Sequence, residues 1–308
     1  MSTTDAASTG LPDRTTANPA AASSSLRAHR RGRGVERRDN PLWGVLAWAV
    51  GFLFVLPVLW MVLTSFHSET DAATNPPSVA AGLTLDGYRN FFGANSGASP
   101  WPPLINSLTA SVVSTLLVLL LAFPAAYALS IKPVERWRDV MFFFLSTRFL
   151  PVVAGLLPLY LFATRTGTLD NINLLILLYT AMNLPIAVWM MRSFLAEVPT
   201  EMLEAAALDG AGLVTTLRRV VAPVALPGIA ATALIAFIFS WNELLLARTL
   251  TATVAGTAPV FLTSFVTSQG LFLAQVCAAA TAISLPVLAA GFAAQDKLVQ
   301  GLSMGAVK

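Results

Sequence analysis

Long apolar stretches with one charge or none recur along this chain, separated by short segments that hold nearly all of its charge. They run over about 42–66, 104–131, 140–163, 172–194, 229–246 and 273–294. An apolar run of roughly 18 or more residues with few charges is long enough to cross a bilayer as a helix. The pattern therefore predicts an all-α membrane protein with six transmembrane helices. Trp43 and Trp60 stand near the two ends of the first stretch, where aromatic rings anchor at a membrane interface. Between the first two stretches, LTLDGYRNFF reads as a short amphipathic helix at a surface. Pro124, Pro151, Pro158 and Pro286 lie inside apolar stretches and are expected to shape helices.

Composition sharpens this picture. Of the 308 residues, 56% are hydrophobic and 11% charged, with a mean hydropathy of +0.69; soluble domains carry roughly 25% charged residues. Residues 1–40 are different, rich in Ala, Ser, Thr and Arg without hydrophobic period, and read as a disordered tail. Its basic cluster RAHRRGRGVERR, just ahead of the first stretch, reads as a topology anchor rather than a nucleic-acid patch. The apolar run after it is too long for the core of a signal peptide. The domain division expected is thus a tail over 1–40 and a six-span membrane domain over 41–308. The tail, the 132–138 loop, the 192–228 loop and the C-terminal tail hold 7, 3, 3 and 2 Lys or Arg. The loops of the opposite face hold Arg89, Arg165 and Arg248, one each. Positive charge marks the cytoplasmic side, which puts both termini and the 192–228 loop there. A lone cysteine, Cys277, and two separated histidines, His29 and His67, speak against a disulfide or a metal site.

The stretch Glu201–Gly228, EMLEAAALDGAGLVTTLRRVVAPVALPG, departs from the apolar pattern. It reads as a short helix, with Met202, Ala205, Ala206 and Leu208 as its packing face, interrupted at Gly210 and Gly212 and resuming over 213–221. Packed helices are usually joined by only about 2–8 residues, so this loop is longer than a connector requires. One reading is an interfacial helix capping the bundle; the other is a protruding helix that docks in a groove of a soluble partner.

Glu204-Ala205-Ala206, three residues, Gly210, nine residues to Val220 and then Pro223 resemble the EAA motif of ATP-binding-cassette (ABC) importer permeases. Asp209-Gly210-Ala211 resembles the DGA of the carbohydrate importers, and Ala222 and Val220 depart from the usual Leu and Ile while staying apolar. STRFLPVVAGLLPLYL, YTAMNLPIAVWMMRSF, FSWNELLLA and QGLSMGAVK extend the similarity to maltose- and polyol-type permeases over residues 40–308. The resemblance implies a permease subunit that forms a path for a sugar or polyol in a bacterial plasma membrane. It implies as partners a cytoplasmic ABC ATPase dimer, a second homologous permease, an extracytoplasmic solute-binding protein and membrane lipid. Glu204, Ala205, Ala206, Asp209 and Gly210 would form the ATPase-coupling helix and its turn. The chain has no G-x-x-x-x-G-K-[ST] pattern; ATP is expected on the ATPase, no cofactor or metal on this chain, and no enzyme activity of its own.

Polar groups inside spans are costly and often functional. Arg148, Asn183, Trp241, Asn242 and Glu243 are the candidates for the translocation path. Each also has a plainer reading: Arg148 snorkels or binds a carbonyl, Asn183 with Pro185 forms a kink, and Trp241 to Glu243 make an interfacial anchor and helix end. A permease for glycerol phosphate or another small solute is an alternative within the family. A stand-alone secondary transporter would need acidic residues deep in spans, and a membrane enzyme would need clustered His, Asp or Glu; neither pattern occurs.

Overall fold

The computed structural model describes residues 41–74, 78–93, 99–131, 134–149, 151–267 and 270–306, so the basic tail lies outside the described residues. By its contacts the chain divides into residues 1–55 and 56–308. The described part of the first unit is helical, the beginning of α1 (Pro41–Thr64). All remaining elements belong to the second unit.

Four helices are long and apolar enough to span a membrane: α1, α4 (Trp101–Ser130), α7 (Ile172–Leu195) and α13 (Leu273–Ala306). Two bent pairs pass the same test, which brings the count to six. The first is α5 (Trp137–Thr147) with α6 (Val152–Thr166); the second is α9 (Leu213–Val224) with α10 (Leu226–Trp241). Short helices complete the chain: α2 (Glu69–Ala72), α3 (Asp86–Phe91), α8 (Thr200–Leu208), α11 (Leu245–Leu250) and α12 (Ala258–Leu262). Extended structure among the described residues is one two-residue antiparallel pairing, Val266–Thr267 with Gly270–Leu271.

The expected third and fifth spans are not continuous helices. The third bends by 80° between Thr147 and Val152, where Pro151 has no N–H to donate to a helical hydrogen bond and is itself extended, ahead of α6. The fifth ends at Trp241, and α11 begins after a short turn. Pro124, Pro158 and Pro286, by contrast, remain inside helices, and LTLDGYRNFF contains the expected short helix, α3.

In the second unit α4 packs along α7, and α10 lies against both and against α13. Their contacts are dominated by small side chains: Ala110, Ala122, Ala126, Ala187 and Ala236 are all buried. Without a hydrophobic drive between helices in lipid, close backbone approach through small residues is what holds them. Gly228 is the tightest case. A Cβ there would collide with the Phe194 ring, so only glycine lets α10 start against the end of α7.

Candidate coupling arm and transmembrane cavity

Glu201–Gly228 folds into an arm. α8 starts after Pro199 and stops in a Schellman turn: Ala211 N–H donates to Ala206 O at 2.9 Å and Gly210 N–H to Ala207 O at 3.1 Å. Gly210 takes φ +73° to close this turn. The left-handed region costs a side-chain-bearing residue about 1–2 kcal/mol, which accounts for glycine here. Gly212 then precedes α9, whose residues Thr216–Val221 form a π-helical turn. At Ala225 the chain bends by 83° into α10, so the arm runs across the direction of the span it feeds.

The inner face of the arm is narrower than the sequence suggests. Ala206 is buried, and Leu203 and Leu217 pack on a cluster of Ala126, Tyr127, Met191, Leu195, Val198, Val221 and Ala225. Of the expected packing face Met202, Ala205, Ala206 and Leu208, only Ala206 is buried: Leu208 is 90% exposed, and Met202 and Ala205 are exposed as well. The Schellman turn carries Leu208 outward, beside exposed Leu213 and Val214. Glu204, Ala205, Asp209 and Gly210 are exposed too, and Glu204 has no ion pair or hydrogen bond among the described residues.

The five intramembrane candidates fall in three different places. Asn183 is fully buried; its Nδ2 donates to Ser240 Oγ at 3.0 Å and to Tyr179 O at 3.0 Å. Ser240 Oγ in turn lies 3.1 Å from Ser114 Oγ, so one polar chain ties α7, α10 and α4 together. Trp241 is 2% exposed, stacked on Phe237, with its indole N–H donating to Ile283 O. Glu243 accepts from Leu246 N–H and Ala247 N–H at 2.9 and 3.1 Å, capping α11. Asn242 is exposed and donates to Ile238 O, finishing α10. These four hold helices together or close helix ends.

Arg148 stands apart from them. It lies in the break between α5 and α6, Nη1 donating to Met182 O at 2.8 Å and the guanidinium carbon 5.7 Å from the Phe239 ring centroid. A cavity of about 720 Å³ opens beside it, lined also by Thr147, Pro151, Leu178, Ala181 and Pro185. A charge at the centre of a bilayer costs about 2.5–3.5 kcal/mol on insertion scales, a cost removed if it faces water or solute.

Sequence reading missed the polar clamps at the opposite end of the helices from the arm. Asp170 (φ +55°) accepts from the backbone N–H groups of Ala252, Thr253, Val254 and Ala255 at 2.8–3.1 Å. Partial burial opposes its ionisation, yet these four donors prevail and hold the carboxyl below its ordinary value. Asn106 Nδ2 donates to Val254 O and Gly256 O of the same loop. Glu69 accepts from Ala274 and Gln275 N–H and so caps α13. The partners are 82 to 206 residues apart, beyond any local pattern; the available signal was an acidic residue beside each apolar stretch.

Residues 43–303 match the family described as "Binding-protein-dependent transport system inner membrane component". The chain belongs to this family. It is a multi-pass membrane permease of the ABC-transporter type, a transport subunit and not an enzyme, and its family works with an ATPase and a solute-binding protein. The permease is 39% identical over 267 residues to the probable ABC transporter permease protein y4oR of Sinorhizobium fredii, covering 87% of this chain and 95% of that one. It is 33% identical over 274 residues to the trehalose transport system permease protein SugB of Mycobacterium tuberculosis, covering 88% and 98%. Its fold matches a chain of a bacterial ABC transporter involved in the import of the acidic polysaccharide alginate, with TM-score 0.68, 20% identity and coverage of 85% and 98%.

Proposed function

We propose that this permease carries a sugar or polyol into a bacterial cell, and that the arm around Glu204–Gly210 couples it to a pair of cytoplasmic ATPase subunits. The observation that carries the coupling reading is the arm itself. A helix with an exposed carboxylate ends in a glycine-closed turn, so that Leu208, Leu213 and Val214 stand out from the bundle. Apolar side chains ringed by charge suit insertion into a groove of a soluble protein, with Glu204 setting register against a basic group. Relatives named for trehalose and diacetylchitobiose uptake support the solute class.

In this reading the arm lies in the cytoplasm, as do both termini, following the positive charges. A second, homologous permease completes the path. ATP is used by the ATPase pair, and this chain binds no cofactor. Movement of the ATPases tilts α10 through the 83° bend and exposes the path to each side in turn. Residues 1–40 form a separate basic tail and 41–308 the membrane domain. Of the five path candidates, Arg148 is kept, while Asn183, Trp241, Asn242 and Glu243 support the helices that frame the path.

The test uses the complete transporter in proteoliposomes. ATP hydrolysis is measured with its binding protein and, in turn, trehalose, diacetylchitobiose, maltose and glycerol 3-phosphate. Stimulation of several-fold by one of the neutral sugars is expected. Stimulation by glycerol 3-phosphate alone would transfer the assignment to a phosphorylated solute.

A further inference from the structure

The cavity beside Arg148 offers more chemistry than a passage needs. Arg148 directly follows the eleven residues of α5, at the break between the two halves of the third apolar stretch. A guanidinium has five N–H donors, and the described residues give this one a single hydrogen-bond acceptor, Met182 O. No Asp or Glu lines the cavity. On its α7 side Pro185 has no N–H, so the Ala181 carbonyl lacks its regular helical donor. Ala181, Met182 and Pro185 all line the same space as Arg148. The other walls, among them Leu159, Leu178 and Leu246, are apolar.

A cavity lined by spare donors, by a residue whose carbonyl lacks its regular helical donor and by apolar walls fits a group that donates and accepts at once. A hydroxyl does both. A carboxylate or phosphate would satisfy the guanidinium but have nothing to give the carbonyl. We propose that this cavity is a solute-binding station for a neutral, polyhydroxylated molecule, with the Arg148 guanidinium donating to a hydroxyl oxygen that in turn donates to the Ala181 carbonyl. The volume, about 720 Å³, lies within the usual range of small-molecule sites. The Met182 hydrogen bond and the Phe239 ring hold the guanidinium in place for this contact. The proposal rests on the importer reading and adds to it where, and by which chemistry, the solute is held.

The test is cysteine reactivity in the complete transporter with Cys277→Ser as background. Arg148→Cys and Leu116→Cys, the latter on the exposed apolar side of α4, are treated with 2-sulfonatoethyl methanethiosulfonate, which reacts only where water reaches. Position 148 is expected to react at least tenfold faster than position 116, and saturating trehalose or maltose with binding protein to slow it at least fivefold. In parallel, Arg148→Gln is expected to raise the solute concentration for half-maximal uptake about tenfold in a complex that still assembles. Equal reactivity at the two positions would overturn the proposal, and so would protection by glycerol 3-phosphate or glucuronate but by neither sugar. Loss of assembly in Arg148→Gln would make the residue a structural tie. Failure of the importer reading shows separately, as a wild-type complex whose ATP hydrolysis no solute stimulates.

Discussion

At the residue scale, most of the polar side chains in and beside the spans serve the backbone. Asp170, Glu243 and Glu69 each take up amide donors at the start of a helix or loop, and charge-assisted bonds of this kind are stronger than neutral ones. For Asp170 the sign of the pH effect follows. Its folded-state pKa is depressed, so its contribution is complete at neutral pH and is lost as pH falls through that lowered value, below the usual carboxylate range. Amide exchange over 252–255 is therefore expected to be protected at neutral pH and to open under strong acid, whereas Asp170→Asn opens it at neutral pH. Asn183 belongs to the same scale. Interhelical hydrogen bonds in membranes average about 0.6 kcal/mol, so a double-mutant cycle on Asn183→Ala and Ser240→Ala should give a coupling near that value in thermal unfolding. Unfolding penalties that simply add would show that the 3.0 Å contact contributes nothing.

Elements were legible in the sequence where a local rule governs them. The apolar stretches became helices, and the glycine that interrupts Glu201–Gly228 closes a Schellman turn at φ +73°. The stops were harder to see. Pro151 breaks the third span and the Asn242–Leu244 turn ends the fifth, yet both sit in sequence that is apolar enough to read straight through. The capping carboxylates escaped because their partners are distant in sequence. Nothing lies within 4 Å of a Cβ built on Gly210, so the cost of Gly210→Ala is confined to the backbone, about 1–2 kcal/mol. That change is expected to loosen the end of α8, seen as faster amide exchange at Gly210 and Ala211, and to lower ATP-driven uptake severalfold. Membrane insertion should stay at the wild-type level. Unchanged uptake together with faster exchange would separate the turn from coupling.

At the scale of the whole molecule, the second unit joins a helix bundle held by small side chains, an outward arm at one end and clamped loops at the other. The arm was the part of the candidate site most legible in the sequence, because its pattern is local: Glu204, three alanines and a glycine within seven residues. The station beside Arg148 was less so, because it depends on α5, α6 and α7 meeting at a break. The measurement that tests the central claim most directly is site-specific photocrosslinking in the active, assembled transporter. A benzoylphenylalanine at Leu208, 90% exposed on the arm, is compared with one at Val254, 73% exposed in the loop held by Asp170. The expected result is an adduct with the ATPase subunit from position 208 and none from position 254. An ATPase adduct from 254, or none from 208 in a complex that still hydrolyses ATP in response to its binding protein, would contradict the account.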